Sequence, residues 1–205
     1  MIGSAQASEF ERCVAEGGVA VFPADTVYGL ACRPDSASAI ARLYALKGRQ
    51  PDKPAAVMFF AVRLALAALP ELGPRTRRAL EQLLPGAVTL LVDNPADRFP
   101  LACPTDPSTL GLRVPRYEGP LAALAAVREP VLQSSANVSG GPDARRLEDV
   151  PEAIGAAADL VLDGGELPGT PSTVIDLRGH EDGAWSVVRE GAVDRAAVER
   201  ALGQY

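Results

Sequence analysis

Leu160-Val-Leu162, Thr173-Val-Ile-Asp-Leu177 and Trp185-Ser-Val-Val-Arg189 are three strand-like runs in succession with no helical pattern between them. They decide the fold class, because the chain before them alternates. Ser8 to Glu16 has helical spacing (Phe10, Cys13, Val14) and is closed by Gly17-Gly18, residues that tolerate the left-handed conformation ending a helix. Val19 to Phe22 reads as a buried strand that Pro23 ends, Ser38 to Lys47 as an amphipathic helix, and Ala55 to Phe60 as an apolar strand after the loop Gly48 to Pro54. The pattern continues with a helix from Arg75 to Leu84, a strand from Val88 to Asp93, a Pro-rich loop, a strand from Leu110 to Val114, a helix from Pro120 to Val127, a strand from Val131 to Gln133 and a helix from Pro151 to Ala158. Alternation of this kind makes the class α/β. The helix-free runs at the end exclude an (β/α)₈ barrel and predict an open twisted mixed sheet with flanking helices and an antiparallel portion, since strands joined by short turns pair antiparallel. With no internal repeat and no linker rich in Gly, Ser or Pro, residues 1–205 are expected to form one domain.

Bulk properties narrow the function classes. A chain of 205 residues can bury roughly 70% of its unfolded surface, and 47% hydrophobic with 22% charged residues is ordinary globular composition. No run approaches the roughly 20 apolar residues of a membrane helix, and Met1 to Glu11 lacks the basic-then-apolar order of a leader, so a cytoplasmic location and no membrane partner are expected. The three cysteines, Cys13, Cys32 and Cys103, and the single histidine, His180, match no zinc spacing; the cysteines read as small core hydrophobes and His180, in a turn-like Gly-His-Glu-Asp-Gly run, as solvated. A net charge of −6 opposes a dedicated nucleic-acid coat, so local clusters of Lys and Arg carry more meaning.

Three segments have the residue types for chemistry. In Phe22-Pro-Ala-Asp-Thr-Val-Tyr-Gly-Leu30 a strand stops at proline and presents Asp25 and Thr26, at the kind of strand end where open α/β sheets bind ligands, although a capped turn has the same composition. Lys47-Gly-Arg-Gln-Pro-Asp-Lys-Pro54 sets three cations in a proline-stiffened loop, a combination that grips polyphosphate or carboxylate and equally suits a solvated surface. Gln133-Ser-Ser-Ala-Asn-Val-Ser-Gly-Gly-Pro142 joins a strand to a loop dense in hydroxyls and glycines, either a polar turn or a cradle for an anion, with the spacing of neither common nucleotide motif. Thr109-Leu-Gly-Leu-Arg-Val-Pro115, Ser172-Thr-Val-Ile-Asp176 and Val187-Val-Arg-Glu-Gly191 complete the set; Arg113 and Arg189, inside strands, need a wet cleft or a buried carboxylate.

Taken in this order, the segments resemble the YrdC-like family of threonylcarbamoyl-adenylate synthases, over roughly Gly17 to Ala192. The resemblance implies a basic cavity on an open sheet and the conversion of L-threonine, bicarbonate and ATP to threonylcarbamoyl-adenylate and pyrophosphate, the product serving t6A modification of tRNA through downstream threonylcarbamoyl transferase proteins. It further implies that Lys47 and Arg49 are catalytic, that Lys47, Arg49, Lys53, Thr109, Ser135, Asn137 and Arg189 hold ATP, and that Thr26, Met58, Arg113 and Ser172 lie at the threonine site. Mg²⁺ is expected on the nucleotide, not in a protein cage. Two positions depart from the family: Met58 stands where a histidine is usual and Asp143 where Ser or Thr is usual. Two other readings remain: a different carbamoyl adenylation, as in a related domain of hydrogenase-maturation proteins, and a non-catalytic module binding double-stranded RNA or tRNA.

Overall fold

The computed structural model describes residues 1–203; Gln204 and Tyr205, the end of the expected domain, lie outside the described residues. In chain order the elements are α1 (Ser4–Ala15), β1 (Ala20–Pro23), β2 (Tyr28–Cys32), α2 (Ala37–Lys47), β3 (Ala56–Met58), α3 (Val62–Ala68), α4 (Pro74–Leu83), β4 (Val88–Asp93), β5 (Thr109–Arg113), β6 (Val131–Ser135), α5 (Glu152–Ala157), β7 (Leu160–Val161), β8 (Thr173–Asp176), β9 (Ser186–Arg189) and α6 (Arg195–Leu202). The strands form one mixed sheet in the order β7-β1-β2-β6-β3-β5-β4-β8-β9. The expected α/β class and open mixed sheet are both present.

Local chemistry explains the elements that frame the cavity. Helix α2 starts where the Ser36 hydroxyl accepts from the Ala39 N–H at 3.3 Å, buries Ile40, Leu43 and Tyr44, and stops at Gly48, whose φ of 58° is a left-handed closure that glycine adopts without cost. The first turn of α4 is capped from a distance: the Glu181 carboxylate, in the turn between β8 and β9, accepts from the Thr76 N–H at 2.8 Å. The helix expected over Pro120–Val127 is instead a 3₁₀ segment, Gly119–Ala126, whose buried side chains Leu121 and Leu124 recur at the three-residue period of that form.

Two differences from the expected order shape the site. Tyr28–Cys32 is a strand, pairing antiparallel with β1 (Phe22 opposite Gly29, Pro23 opposite Tyr28), so the first motif is a hairpin and Asp25-Thr26 its turn. The three terminal runs are not one antiparallel unit. Strands β8 and β9 pair antiparallel as expected, but β7 pairs parallel with β1 at the other edge of the sheet. Residues 163–172 therefore cross from one side of the sheet to the other.

Alternation along β4 and β8 sends Val88, Leu90, Thr173 and Ile175 into the core and leaves Thr89 and Val174 half-buried on the open face. Register links that face across strands: Met58 pairs with Arg113, Thr89 pairs with Val174, and continuing the Leu90–Leu112 pairing by one step puts Thr89 opposite Arg113. Met58, Arg113, Thr89 and Val174 are thus consecutive members of one cross-strand row.

Candidate active site

A cavity of about 210 Å³ opens on this face. Its walls bring together Thr26, Arg49, Arg113, Ser135, Ser172 and Arg189, six of the residues expected at the site. The other five are placed differently. Lys53 is exposed on its loop. Lys47 and Asn137 are buried behind the cavity wall, Thr109 stands at the far end of β5 from Arg113, and Met58 has no exposed surface.

Lys47 is turned into the chain. Its ammonium donates to the Ser135 carbonyl, to the Asn137 carbonyl at 2.7 Å and to Asn137 Oδ1 at 2.8 Å, so all three protons point into the chain and none toward a ligand. Burial, and after it the neighbouring Arg49, lower its pKa to about 8. Asn137 is equally committed: Oδ1 also accepts from the Ser135 hydroxyl at 2.6 Å, and Nδ2 donates to the Gly141 carbonyl at 2.6 Å. These two residues of the expected ATP set fix the shape of the loop that carries Ser135. In Thr109 the hydroxyl donates to Asp106 at 2.6 Å and accepts from Arg178 at 3.1 Å, an arrangement belonging to the opposite strand end. Met58, expected at the threonine site, shares the cavity's face of the sheet with Arg113 but is covered by apolar neighbours, where a flexible apolar side chain fills space at no polar cost.

Arg113 is 4% exposed and directs one terminal nitrogen to Asp25 Oδ1 at 2.5 Å, to the Thr26 hydroxyl at 2.8 Å and to the Ala24 carbonyl at 3.2 Å. Asp25 holds this position with a φ of 68°, a left-handed conformation that Asp tolerates better than most residues, and also accepts from the Arg116 N–H at 3.2 Å. Burial pushes the Asp25 carboxyl above its ordinary value, with Arg113 pulling the other way. The Arg113 Nε is buried without a hydrogen-bond partner among the described residues, and so is that of Arg49. Arg49 otherwise donates to the Pro54 carbonyl at 2.6 Å and lies over the Tyr44 ring. Three arginines in the wall of one cavity, Arg49, Arg113 and Arg189, suit an anionic ligand.

Ser172 is gripped from several directions. Its hydroxyl meets that of Thr89 at 2.8 Å, and its carbonyl accepts from Arg189 at 2.7 Å. The chain after β9 closes on the same segment: the Ala192 N–H donates to the Pro171 carbonyl at 2.9 Å, and Gly191 passes so near that a Cβ there would stand 2.3 Å from the Pro171 oxygen. Sequence reasoning found Ser172 and Arg189 but missed Thr89 and Gln133, both in the cavity wall; the available signals were a lone hydroxyl residue in the apolar strand Val88–Asp93 and the amide opening the Gln133-Ser-Ser segment. His180, expected to be solvated, is 5% exposed and lies away from the cavity.

No group of three His, Cys, Asp or Glu side chains among the described residues could hold a metal ion. The cavity wall offers one carboxylate, Asp143, which suits a magnesium ion bound chiefly by phosphate and water. No helix among the described residues is long and apolar enough to cross a membrane.

The Sua5/YciO/YrdC family model, described as telomere recombination, matches residues 12–191. Among curated relatives, a threonylcarbamoyl-AMP synthase of Pyrococcus abyssi is 27% identical over 194 residues, covering 93% of this chain and 55% of that protein. One of Chromohalobacter salexigens is 35% identical over 167 residues, covering 80% of this chain and 89% of the other. A crystal structure of P. abyssi Sua5 complexed with L-threonine superposes with a TM-score of 0.84 at 25% identity, over 100% of this chain and 59% of that one. The chain thus spans little more than half the length of some relatives that it matches, including those of P. abyssi (55%) and Bacillus subtilis (57%). The matched span takes in every segment that builds the cavity, from the Asp25-Thr26 turn to Gly191, and the chain belongs to the Sua5/YciO/YrdC family.

Proposed function

We propose that this chain, as a single domain, is a threonylcarbamoyl-adenylate synthase: L-threonine, bicarbonate and ATP are converted to threonylcarbamoyl-adenylate and pyrophosphate. The observation that carries the reading is Arg113, buried, braced by Asp25 and Thr26, in the wall of a cavity that also holds Arg49, Arg189, Ser135 and Ser172. Such a site suits the carboxylate of an amino acid beside the phosphates of a nucleotide.

The chemistry asks for positioning and charge stabilisation more than for a protein nucleophile. Threonine's ammonium gives a proton to bicarbonate, which becomes carbon dioxide and water; the free amine then adds to carbon dioxide and sheds a second proton to solvent, giving the carbamate. A carbamate oxygen then bonds to the α-phosphorus of ATP as the bond to pyrophosphate breaks. Arg113 and Thr26 orient the amino acid by its carboxylate. Arg49, Arg189 and Ser135 hold the phosphates, with Lys53 approaching from the rim. Asp143 is the cavity-wall carboxylate that could take part in holding Mg²⁺ carried in on the nucleotide, and the chemistry such an ion would supply is to offset charge on the leaving group. Lys47 and Asn137 act through the loop that they hold. The product would pass to threonylcarbamoyl transferase proteins that modify tRNA.

The test is pyrophosphate release from ATP with threonine and bicarbonate supplied singly and together. Release only with both is expected. An equal rate with bicarbonate omitted and carbon dioxide purged overturns the mechanism.

A further inference from the structure

We infer that Thr89 is the positioning residue by which this site reads the side-chain hydroxyl of its amino-acid substrate, a role that rests on the function proposed above. The Thr89 and Ser172 hydroxyls stand 2.8 Å apart, and both residues line the cavity. Each hydroxyl has one proton and two lone pairs, so a bond between them leaves one proton and several lone pairs unused. The pair can therefore donate to a third hydroxyl and accept from it, which neither could do as well alone.

Their place in the sheet says which part of the substrate arrives there. In the cross-strand row Thr89 lies between Arg113, the carboxylate-binding group, and Val174, an apolar side chain that also lines the cavity. Directly opposed side chains in such a row have Cβ atoms about 4.5–5.5 Å apart, so these side chains are neighbours on one face, with the Arg113 guanidinium reaching on to the Asp25-Thr26 turn. A substrate anchored on Arg113 puts its β-carbon over Thr89, its hydroxyl against the Thr89–Ser172 pair and its methyl toward Val174. The backbone that carries Ser172 is held in place: Arg189 donates to its carbonyl at 2.7 Å, and the hydroxyl of the next residue, Thr173, donates to the Val193 carbonyl at 2.6 Å. The Ser172 hydroxyl meets that of Thr89, so the two act as a pair.

The experiment compares wild type with Thr89→Val and Thr89→Ser, measuring dissociation constants for L-threonine and for L-2-aminobutyrate, which lacks the hydroxyl, by calorimetry, and KM and kcat by pyrophosphate release. Valine keeps the β-branched shape, so melting curves should overlay. Thr89→Val is expected to weaken threonine about 5- to 10-fold, the range of one neutral hydrogen bond, while 2-aminobutyrate changes less than about 2-fold. The loss should appear in KM more than in kcat, and Thr89→Ser should restore discrimination. Equal weakening of both amino acids, or of neither, overturns the role of Thr89 while leaving the proposed reaction standing. A wild-type protein that binds neither amino acid overturns both.

Discussion

Lys47 offers the sharpest test of the site's construction, because the geometry makes it a brace where the motif suggests a ligand contact. In Lys47→Met the length of the side chain is kept and its three donations are lost. Asn137 Oδ1 keeps the Ser135 hydroxyl as a donor, so the loss falls mainly on two buried carbonyl oxygens, Ser135 and Asn137, each costing about 1–3 kcal/mol when unsatisfied. Removing a buried ammonium relieves part of this, and a net destabilisation of about 3 kcal/mol is expected, or about 6–12 °C in melting temperature for a chain of this size. The pH dependence carries the sign. Lys47 titrates at about 8 in the folded protein against an ordinary 10.5, so between these values the unfolded chain binds a proton that the folded chain has shed, and folding gains stability as pH rises. Methionine has no such gain, and every other titrating group is shared by the two proteins. The difference in melting temperature between wild type and Lys47→Met, followed by circular dichroism from pH 7 to pH 10, should therefore widen with pH. A gap that stays constant or narrows, or a variant that melts with the wild type at pH 7, refutes the brace.

Other substitutions test other parts of the structure. His180 is buried with neither ring nitrogen bonded among the described residues, so His180→Leu should stabilise the protein by about 1–3 kcal/mol; a lower melting temperature would contradict that packing. Asp25→Ala removes the partner of a buried guanidinium and sets a Cβ-bearing residue without a polar side chain at a φ of 68°, costing about 3–5 kcal/mol in urea unfolding, whereas Asp25→Asn, which tolerates that conformation and can still accept from Arg113, should lose about half as much; equal losses would deny the left-handed turn a role. Met58→His introduces a polar ring into the core beside Arg113 and should destabilise by about 1–3 kcal/mol with threonine affinity unimproved; tighter threonine binding would show that position 58 reaches the substrate.

Much of this architecture was legible from periodicity. Val88–Asp93 matches its expected bounds, and most helices fall within a few residues of theirs. What escaped was decided by partners far away in sequence. Tyr28–Cys32 is a short, fully buried strand with no alternation to betray it, and its pairing with β1 runs through a turn at Asp25 that is braced by Arg113, 88 residues on. Leu160–Val161 is a two-residue strand whose edge position is set by β1 and not by its sequence neighbours. The site shows the same division. Residue types marked out segments that the fold brings around one cavity, but the direction in which Lys47 points is settled by carbonyls at 135 and 137, and nothing in Lys47-Gly-Arg distinguishes a brace from a contact.

The segment 163–172 acts as a ruler. From Val161 on β7 to Thr173 on β8 the chain has twelve residue steps, a reach of about 40 Å, while seven strand-to-strand spacings of about 4.8 Å separate the two strands along the sheet, about 34 Å. It is also pinned on the way, by the Gly164 N–H to the Tyr28 hydroxyl at 3.0 Å, by the Leu167 N–H to the Arg145 carbonyl at 2.9 Å and by the Gly169 N–H to the Thr26 carbonyl at 2.8 Å. Surface connections ordinarily accept added or deleted residues with little penalty. This one cannot lose two residues, about 7 Å of reach, without drawing the sheet's two halves together, and it cannot gain two without slackening the grip on Ser172. Its length, more than its composition, is what variation should leave alone.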